Sequence, residues 1–245
     1  MYKDSPCTYV LQWIMPSKNS IKIPIENGIY HIYNRGVNKQ EIFTSLQDYS
    51  VFLNYLKEAL SPIPKLPDLP KFEVKINGFT FVKPRRLAKN FVGEIELIAY
   101  ALMPNHFHLL IKQNKKESME AFMRSVATRY SMYFNKSNDR VGPLFQSVYK
   151  AVLVENENYL LHLSRYIHLN PSENFENLAS AYSSYADYIG VKKTPWLNPL
   201  PVLDYFNQPV SLEFKKFNNY QNFVEKYEDS DRSQESFLED LILEK

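Results

Sequence analysis

Leu102-Met103-Pro104-Asn105-His106-Phe107-His108-Leu109-Leu110 is the stretch on which the reading of this chain turns. Pro104-Asn105 reads as a tight turn between two apolar runs, so the stretch is the bend of a β-hairpin. Side chains on a strand alternate faces with a period of two, which points His106 and His108 the same way. Phe107, Leu109 and Ile111 then anchor the opposite face in a core. Two of only five histidines in the chain are thereby presented side by side, able to offer two imidazoles to one metal ion.

The 245 residues, 44% hydrophobic and 15% aromatic, are enough to bury a substantial core. A single cysteine, Cys7, excludes an internal disulfide framework and a cysteine-rich zinc site. No run of eighteen consecutive apolar residues occurs, and no long apolar run follows the N-terminal charges, so we expect a soluble cytoplasmic protein without a membrane span. The net charge of +2 is unevenly spread. Residues 228–245 hold seven acids against two bases, net −5, which leaves +7 on the body. A basic, tyrosine-rich body is compatible with a nucleic-acid partner, through phosphate neutralisation and base stacking.

Outward from the hairpin, Ile29 to Arg35 is β-branched and aromatic and reads as a first strand ending at Gly36. Ser45 can cap a helix whose stripe is Phe52, Tyr55, Leu56 and Leu60. Residues 61–93 look like an insertion. Prolines 62, 64, 67 and 70 forbid regular structure there, and Asn77-Gly78 between two alternating runs signals a hairpin, followed by Lys83, Arg85, Arg86 and Lys89. Glu94 to Met103 is the strand before the bend. A helix opens near Ser118, residues 147–154 read as a strand, and Asn156 caps a helix reaching about His168. The order is α+β, a ferredoxin-like βαββαβ core with an antiparallel sheet, plus one further helix. We divide the chain into an N-terminal extension (1–27), a main domain (28–180, with the 61–93 basic hairpin inserted), a C-terminal helical extension (181–227, with helical stretches near 202–206 and 212–227) and the acidic tail (228–245).

The helix after Asn156 is the second informative stretch. At about 100° per residue from Tyr159, His162 falls near 300°, Tyr166 near 340° and Asn170 near 20°, one narrow polar-tipped stripe. Leu160, Leu163 and Ile167 form the adjacent stripe that can hold the helix on the sheet. Read from the residues alone, Tyr166 is either a half-buried core tyrosine or a reactive phenol facing the histidine pair.

The histidine stretch, Gly142-Pro143-Leu144-Phe145-Gln146 with Tyr149-Lys150, and Arg165-Tyr166-Ile167-His168-Leu169-Asn170-Pro171 together resemble the successive signature blocks of the REP-associated tyrosine transposases, single-strand DNA transposases of the HUH type with one catalytic tyrosine. Tyr30 to Val37 is similar to that family's first strand, so the resemblance covers roughly residues 28–200. It implies His106, His108 and Asn170 as ligands of a divalent metal, Mg²⁺ or Mn²⁺, and Tyr166 as a nucleophile forming a 5′-phosphotyrosine intermediate. The implied substrate is single-stranded DNA at a site beside a hairpin, with no nucleotide cofactor, in keeping with the lack of a Gly-x-x-x-x-Gly-Lys-Ser/Thr loop. Relatives of this kind work as monomers or assemble active sites across a homodimer, and both arrangements stay open. Candidate DNA contacts are Arg35, Lys83, Arg85, Arg86, Arg124, Arg129, Gln146 and Lys150. Where the family often has Trp-Gln-x-Arg-Tyr this chain has Phe145-Gln146-Ser147-Val148-Tyr149, without the basic side chain. The expected activity is that of a metal-dependent single-stranded DNA endonuclease and strand transferase. The alternatives are a single-stranded nucleic-acid-binding regulator whose catalytic set is unused, and a phosphodiesterase in which water attacks.

Overall fold

The computed structural model describes residues 24–63, 71–84, 88–173, 176–207 and 217–226. The acidic tail and all but the last four residues of the N-terminal extension lie outside the described residues, as do Arg85, Arg86 and prolines 64, 67 and 70. Strands β1 (Ile29–Arg35), β4 (Ile95–Met103), β5 (His106–Gln113) and β6 (Lys150–Leu153) form one sheet in the order β4-β5-β1-β6, antiparallel throughout. Helices α1 (Leu46–Leu60) and α2 (Ser118–Ser137) complete the ferredoxin-like core, and α3 (Glu157–Leu169) is the additional helix. β2 (Lys71–Ile76) and β3 (Phe79–Pro84) pair only with each other, around an Asn77-Gly78 turn in which both residues have positive φ.

Both faces of the sheet are covered. Tyr30 and Ile32 of β1, Leu97, Tyr100 and Leu102 of β4, and Phe107, Leu109 and Ile111 of β5 pack with α1 and α2. On the other face, Ala101, Met103 and Leu110 meet Leu160, Leu163 and Ile167 of α3 and the C-terminal helices. The stripe that the helical spacing predicts to hold α3 on the sheet does so.

Local chemistry fixes where the helices begin. Ser45 Oγ accepts from Asp48 N while Asp48 Oδ2 accepts from Ser45 N at 2.9 Å, a reciprocal cap at the start of α1. Burial pushes the Asp48 carboxyl up, but hydrogen bonds from Thr44, Tyr133 and Ser45 outweigh it and hold the group below its ordinary range. Ser118 does not cap α2. Glu117 occupies that position in a left-handed conformation, and Ser118 Oγ donates to Glu94 Oε2 at 3.0 Å. The last strand is shorter than the expected 147–154. Asn34 Nδ2 draws off Ser147 O at 3.0 Å and Val148 is 71% exposed, so pairing with β1 starts only at Lys150.

The C-terminal part, with α4 (Tyr185–Tyr188), α5 (Leu200–Asn207) and α6 (Tyr220–Glu225), is built onto β4 and α3. Residues 212–216 and 227 of the expected 212–227 helix lie outside the described residues. Leu102 N donates to Tyr182 O, Ser184 N to Tyr100 O and Asn198 N to Leu97 O, which covers the otherwise open edge of β4. Beneath that edge His168 of α3 is fully buried, one ring nitrogen 2.7 Å from Tyr220 Oη and the other 2.7 Å from Ser184 Oγ. Tyr220 Oη in turn donates to Ser164 Oγ. This network ties α3, β4, α4 and α6 together at one point.

Burial holds His168 down at about 3, from an ordinary 6.5. Its neutral burial therefore supports the fold fully above pH 6.5, and that support is lost as pH falls toward 3, because the unfolded chain takes up the proton first. Urea unfolding of the wild type and His168→Gln at a series of pH values should show the wild type alone losing about 1.4 kcal/mol per pH unit from this residue below pH 6.5. Parallel pH profiles for the two proteins would contradict this.

Candidate active site

The β4–β5 bend is pinned from outside the hairpin. Pro104 O accepts from Ile42 N at 2.7 Å and Phe43 N at 2.9 Å, and Asn105 O accepts from Gly36 N at 2.9 Å. A Cβ on Gly36 would come within 2.2 Å of Gln40 O, so the tight 36–42 loop that reaches the bend requires glycine. Asn105 Oδ1 lies 2.6 Å from His106 Nδ1. An amide oxygen can only accept, so that ring nitrogen is the donor and His106 Nε2 carries the lone pair.

His108 is 1% exposed and His31, on the neighbouring strand, is 0% exposed. His31 Nε2 and His108 Nδ1 are 2.8 Å apart and the rings are stacked, with centroids at 5.0 Å. The register places His31 opposite Leu110 and Tyr33 opposite His108, so the two imidazoles meet diagonally across β1 and β5. Nothing in the sequence spacing links His31 to the pair; the structure puts it in direct contact with His108. No local spacing could have indicated this, because the relation is set by the pairing register of strands 77 residues apart.

The rings of His106 and His108 are perpendicular, with centroids 5.2 Å apart. From α3, Tyr166 presents its ring edge-on to His108 at 5.6 Å between centroids and to His31 at 6.5 Å. Tyr166 and His108 thus meet within one chain. Asn170 caps the C-terminal end of α3, and its Nδ2 donates to Tyr166 O at 3.4 Å, which sets its amide one turn beyond the tyrosine. The rest of the predicted stripe divides. His162 is 8% exposed, with Nδ1 2.8 Å from Arg165 Nη2 and its ring against Phe223 of α6, so it faces the C-terminal extension.

The candidate DNA contacts fall into three places. Arg35 is paired opposite His106, and Lys150 opposite Tyr33 with its Nζ 6.0 Å from that ring's centroid, so both lie on the sheet face of the histidines. Gln146 is exposed and its backbone N donates to Arg35 O, which sets it beside them. Arg124 and Arg129 belong to α2, on the opposite layer: Arg124 is ion-paired with Glu120, and Arg129 with Glu58 while lying 4.0 Å over the Tyr55 ring. Lys83 is in β3 of the separate hairpin.

Among the described residues no group of three or more His, Cys, Asp or Glu side chains is placed to hold a metal ion. A metal here would have to be held by two imidazoles and an amide oxygen, with substrate oxygens and water completing the shell, a mixed set that suits Mn²⁺ or Mg²⁺. The hydrogen bonds fit that use. Asn105 fixes the ring of His106 through Nδ1 and His31 fixes the ring of His108 through Nδ1; metal-binding histidines are held in this way through their second nitrogen.

His31→Ala removes the partner of a buried ring nitrogen and should lower stability by about 1–3 kcal/mol in urea unfolding at neutral pH. An unchanged midpoint would show that the His31–His108 bond contributes nothing to the fold.

Residues 85–170 match the family model described as "Transposase IS200 like". Among solved structures, a REP-associated tyrosine transposase bound to a REP hairpin aligns at 12% identity with a TM-score of 0.47, covering 72% of this chain and 87% of its own. A Deinococcus radiodurans R1 protein assigned provisionally to the transposases aligns at 12% identity with a TM-score of 0.34, covering 62% of this chain and 95% of its own. No curated protein matches. The matched segment runs from residue 85 to Asn170, so His106, His108, Tyr166 and Asn170 all fall within it and His31 and Arg35 fall outside; over those residues this chain is similar to the IS200-like transposases.

Proposed function

We propose that the protein is a metal-dependent single-stranded DNA endonuclease and strand transferase of the REP-associated kind, acting at sites next to DNA hairpins. The observation that carries this reading is the meeting of Tyr166 with His108 inside one chain, 5.6 Å between the two rings, on a sheet face that also bears His106, Arg35 and Lys150.

In this reading His106, His108 and Asn170 hold the divalent ion. When bound, the ion supplies positive charge to a non-bridging oxygen of the scissile phosphate. Arg35 and Lys150 lie where a phosphate backbone crossing that face would run, and Gln146 flanks its exposed edge. A free tyrosine hydroxyl has a pKa of ~10, so it needs an electropositive setting to react at neutral pH. Tyr166 Oη attacks the phosphorus and a P–Oη bond forms as the P–O3′ bond breaks. The phenolic proton leaves to solvent and the departing 3′ oxygen takes up a proton, giving a 5′-phosphotyrosine link and a free 3′-OH. Because the link retains the energy of the original diester, a 3′-OH can attack it in the reverse sense and join strands without a nucleotide cofactor. α3 holds Tyr166 in place through Leu160, Leu163 and Ile167 on the sheet and His168 beneath the β4 edge.

The test is incubation with single-stranded oligonucleotides carrying a hairpin, with Mn²⁺, followed by denaturing electrophoresis for a covalent adduct. The adduct should form with the wild type and Tyr159→Phe, and disappear with Tyr166→Phe or excess EDTA. For a site assembled within one chain, mixing Tyr166→Phe with His108→Ala protein should not restore it. Cleavage that persists in Tyr166→Phe would mean that water is the nucleophile. DNA binding that survives EDTA with no adduct from any hairpin substrate would mean a regulator whose catalytic set is unused.

A further inference from the structure

The β2–β3 hairpin plays no part in the site described above, yet it carries a feature that ordinary surface loops avoid. Cross-strand partners share a face, so the pairs Val74–Phe81 and Ile76–Phe79 lie together on one side, with Lys75–Thr80 and Glu73–Val82 on the other. The first side is apolar and open: Phe79 is 70% exposed, Phe81 48% and Ile76 47%. The same segment is strongly basic, with residues 71–89 holding six lysines and arginines against the single acid Glu73. Two exposed phenylalanines on a rigid ribbon inside a net +5 segment match unpaired bases on a polyanionic strand, since every base offers a π-face and the backbone is drawn by charge.

The root of the hairpin fixes where such a strand would run. The insertion leaves the core at the end of α1 and returns at Asn90, whose Nδ2 donates to Ser61 O at 2.6 Å, while Phe91 N donates to Ala59 O and Ile95 N to Phe91 O. Its root therefore stands at the Ile95 end of β4, while His106 and His108 pair with Met103 and Ala101 toward the other end. Six to eight residue steps along β4 separate that root from the level of the histidines, about 20–26 Å at ~3.3 Å per residue.

We propose that the apolar face of the β2–β3 hairpin, through Phe79 and Phe81, is a second binding site for single-stranded nucleic acid, remote from Tyr166, on which unpaired bases stack. The site rests on the nucleic-acid reading of the protein and adds to it a distant anchor for the same strand. The anchor therefore serves only substrates long enough to span that separation from the scissile phosphate.

The experiment compares full-length wild type, Phe79→Ala/Phe81→Ala and Phe79→Tyr/Phe81→Tyr. The probes are fluorescein-labelled, mixed-sequence single-stranded oligonucleotides, one series shorter and one longer than that span, read by anisotropy. Thermal unfolding checks that these exposed substitutions leave the fold intact, and sedimentation reports association state. The alanine pair should weaken binding of the long oligonucleotides at least tenfold and leave the short ones unchanged, with tyrosine retaining affinity. Equal affinity of the alanine pair and wild type for the long series would overturn the proposal. So would a wild type that self-associates through this face while the alanine pair does not, since the face would then be a contact between copies. A wild type that forms the covalent adduct but shows no effect of the alanine pair leaves the proposed function standing and removes only the hairpin site. A wild type that binds no single-stranded DNA at all removes both.

Discussion

Two imidazoles stacked inside the protein, His31 at 0% and His108 at 1% exposure, are costly polar groups to bury on the sheet face that α3 covers, and the bond between them offsets part of that cost. That bond exists only because β1 and β5 are adjacent at the centre of the sheet in one particular register. A slip of one residue would turn His108 into the α1–α2 core and Phe107 toward α3. The apolar partners Phe107, Leu109 and Ile111 on the far face guard against such a slip, so the packing of one layer secures the polar chemistry of the other.

The helix that meets the pair is held with equal economy. α3 has an apolar stripe on the sheet, and its far end is fixed by His168, which bonds Tyr220 and Ser184 at once. Ser184 also bonds the backbone of Tyr100 in β4, so the placement of Tyr166 is referred back to the strand that leads into the histidine bend. The C-terminal extension is therefore part of what positions the tyrosine.

What could be read from the sequence, and what could not, divides along the same physical line. Periodicity placed His106 and His108 on one face and Leu160, Leu163 and Ile167 on another, because alternation and the helical repeat are local properties of the chain. The Asn77-Gly78 turn was legible for the same reason. Contacts made by tertiary pairing were not. His31 reaches His108 only through strand register, and His162, which shares an angular stripe with Tyr166, is covered instead by Arg165 and Phe223. A helical wheel gives a direction but not what stands there. Arg124 and Arg129 illustrate this again: each has an acidic partner on the α1–α2 layer, one from α2 itself and one from α1, which charge counting along the chain does not reveal.

The neck of the insertion has a consequence of another kind. Asn90 bridges Glu58 O and Ser61 O, and Phe91 bonds Ala59 O, so the chain closes on itself before and after the β2–β3 excursion, and the core elements on either side are joined without it. Such a stem makes the hairpin an exchangeable cassette. Its length and composition can drift, or be swapped for another ribbon by design, while the sheet, the histidine bend and α3 keep their geometry, so that reach and preference can change separately from chemistry.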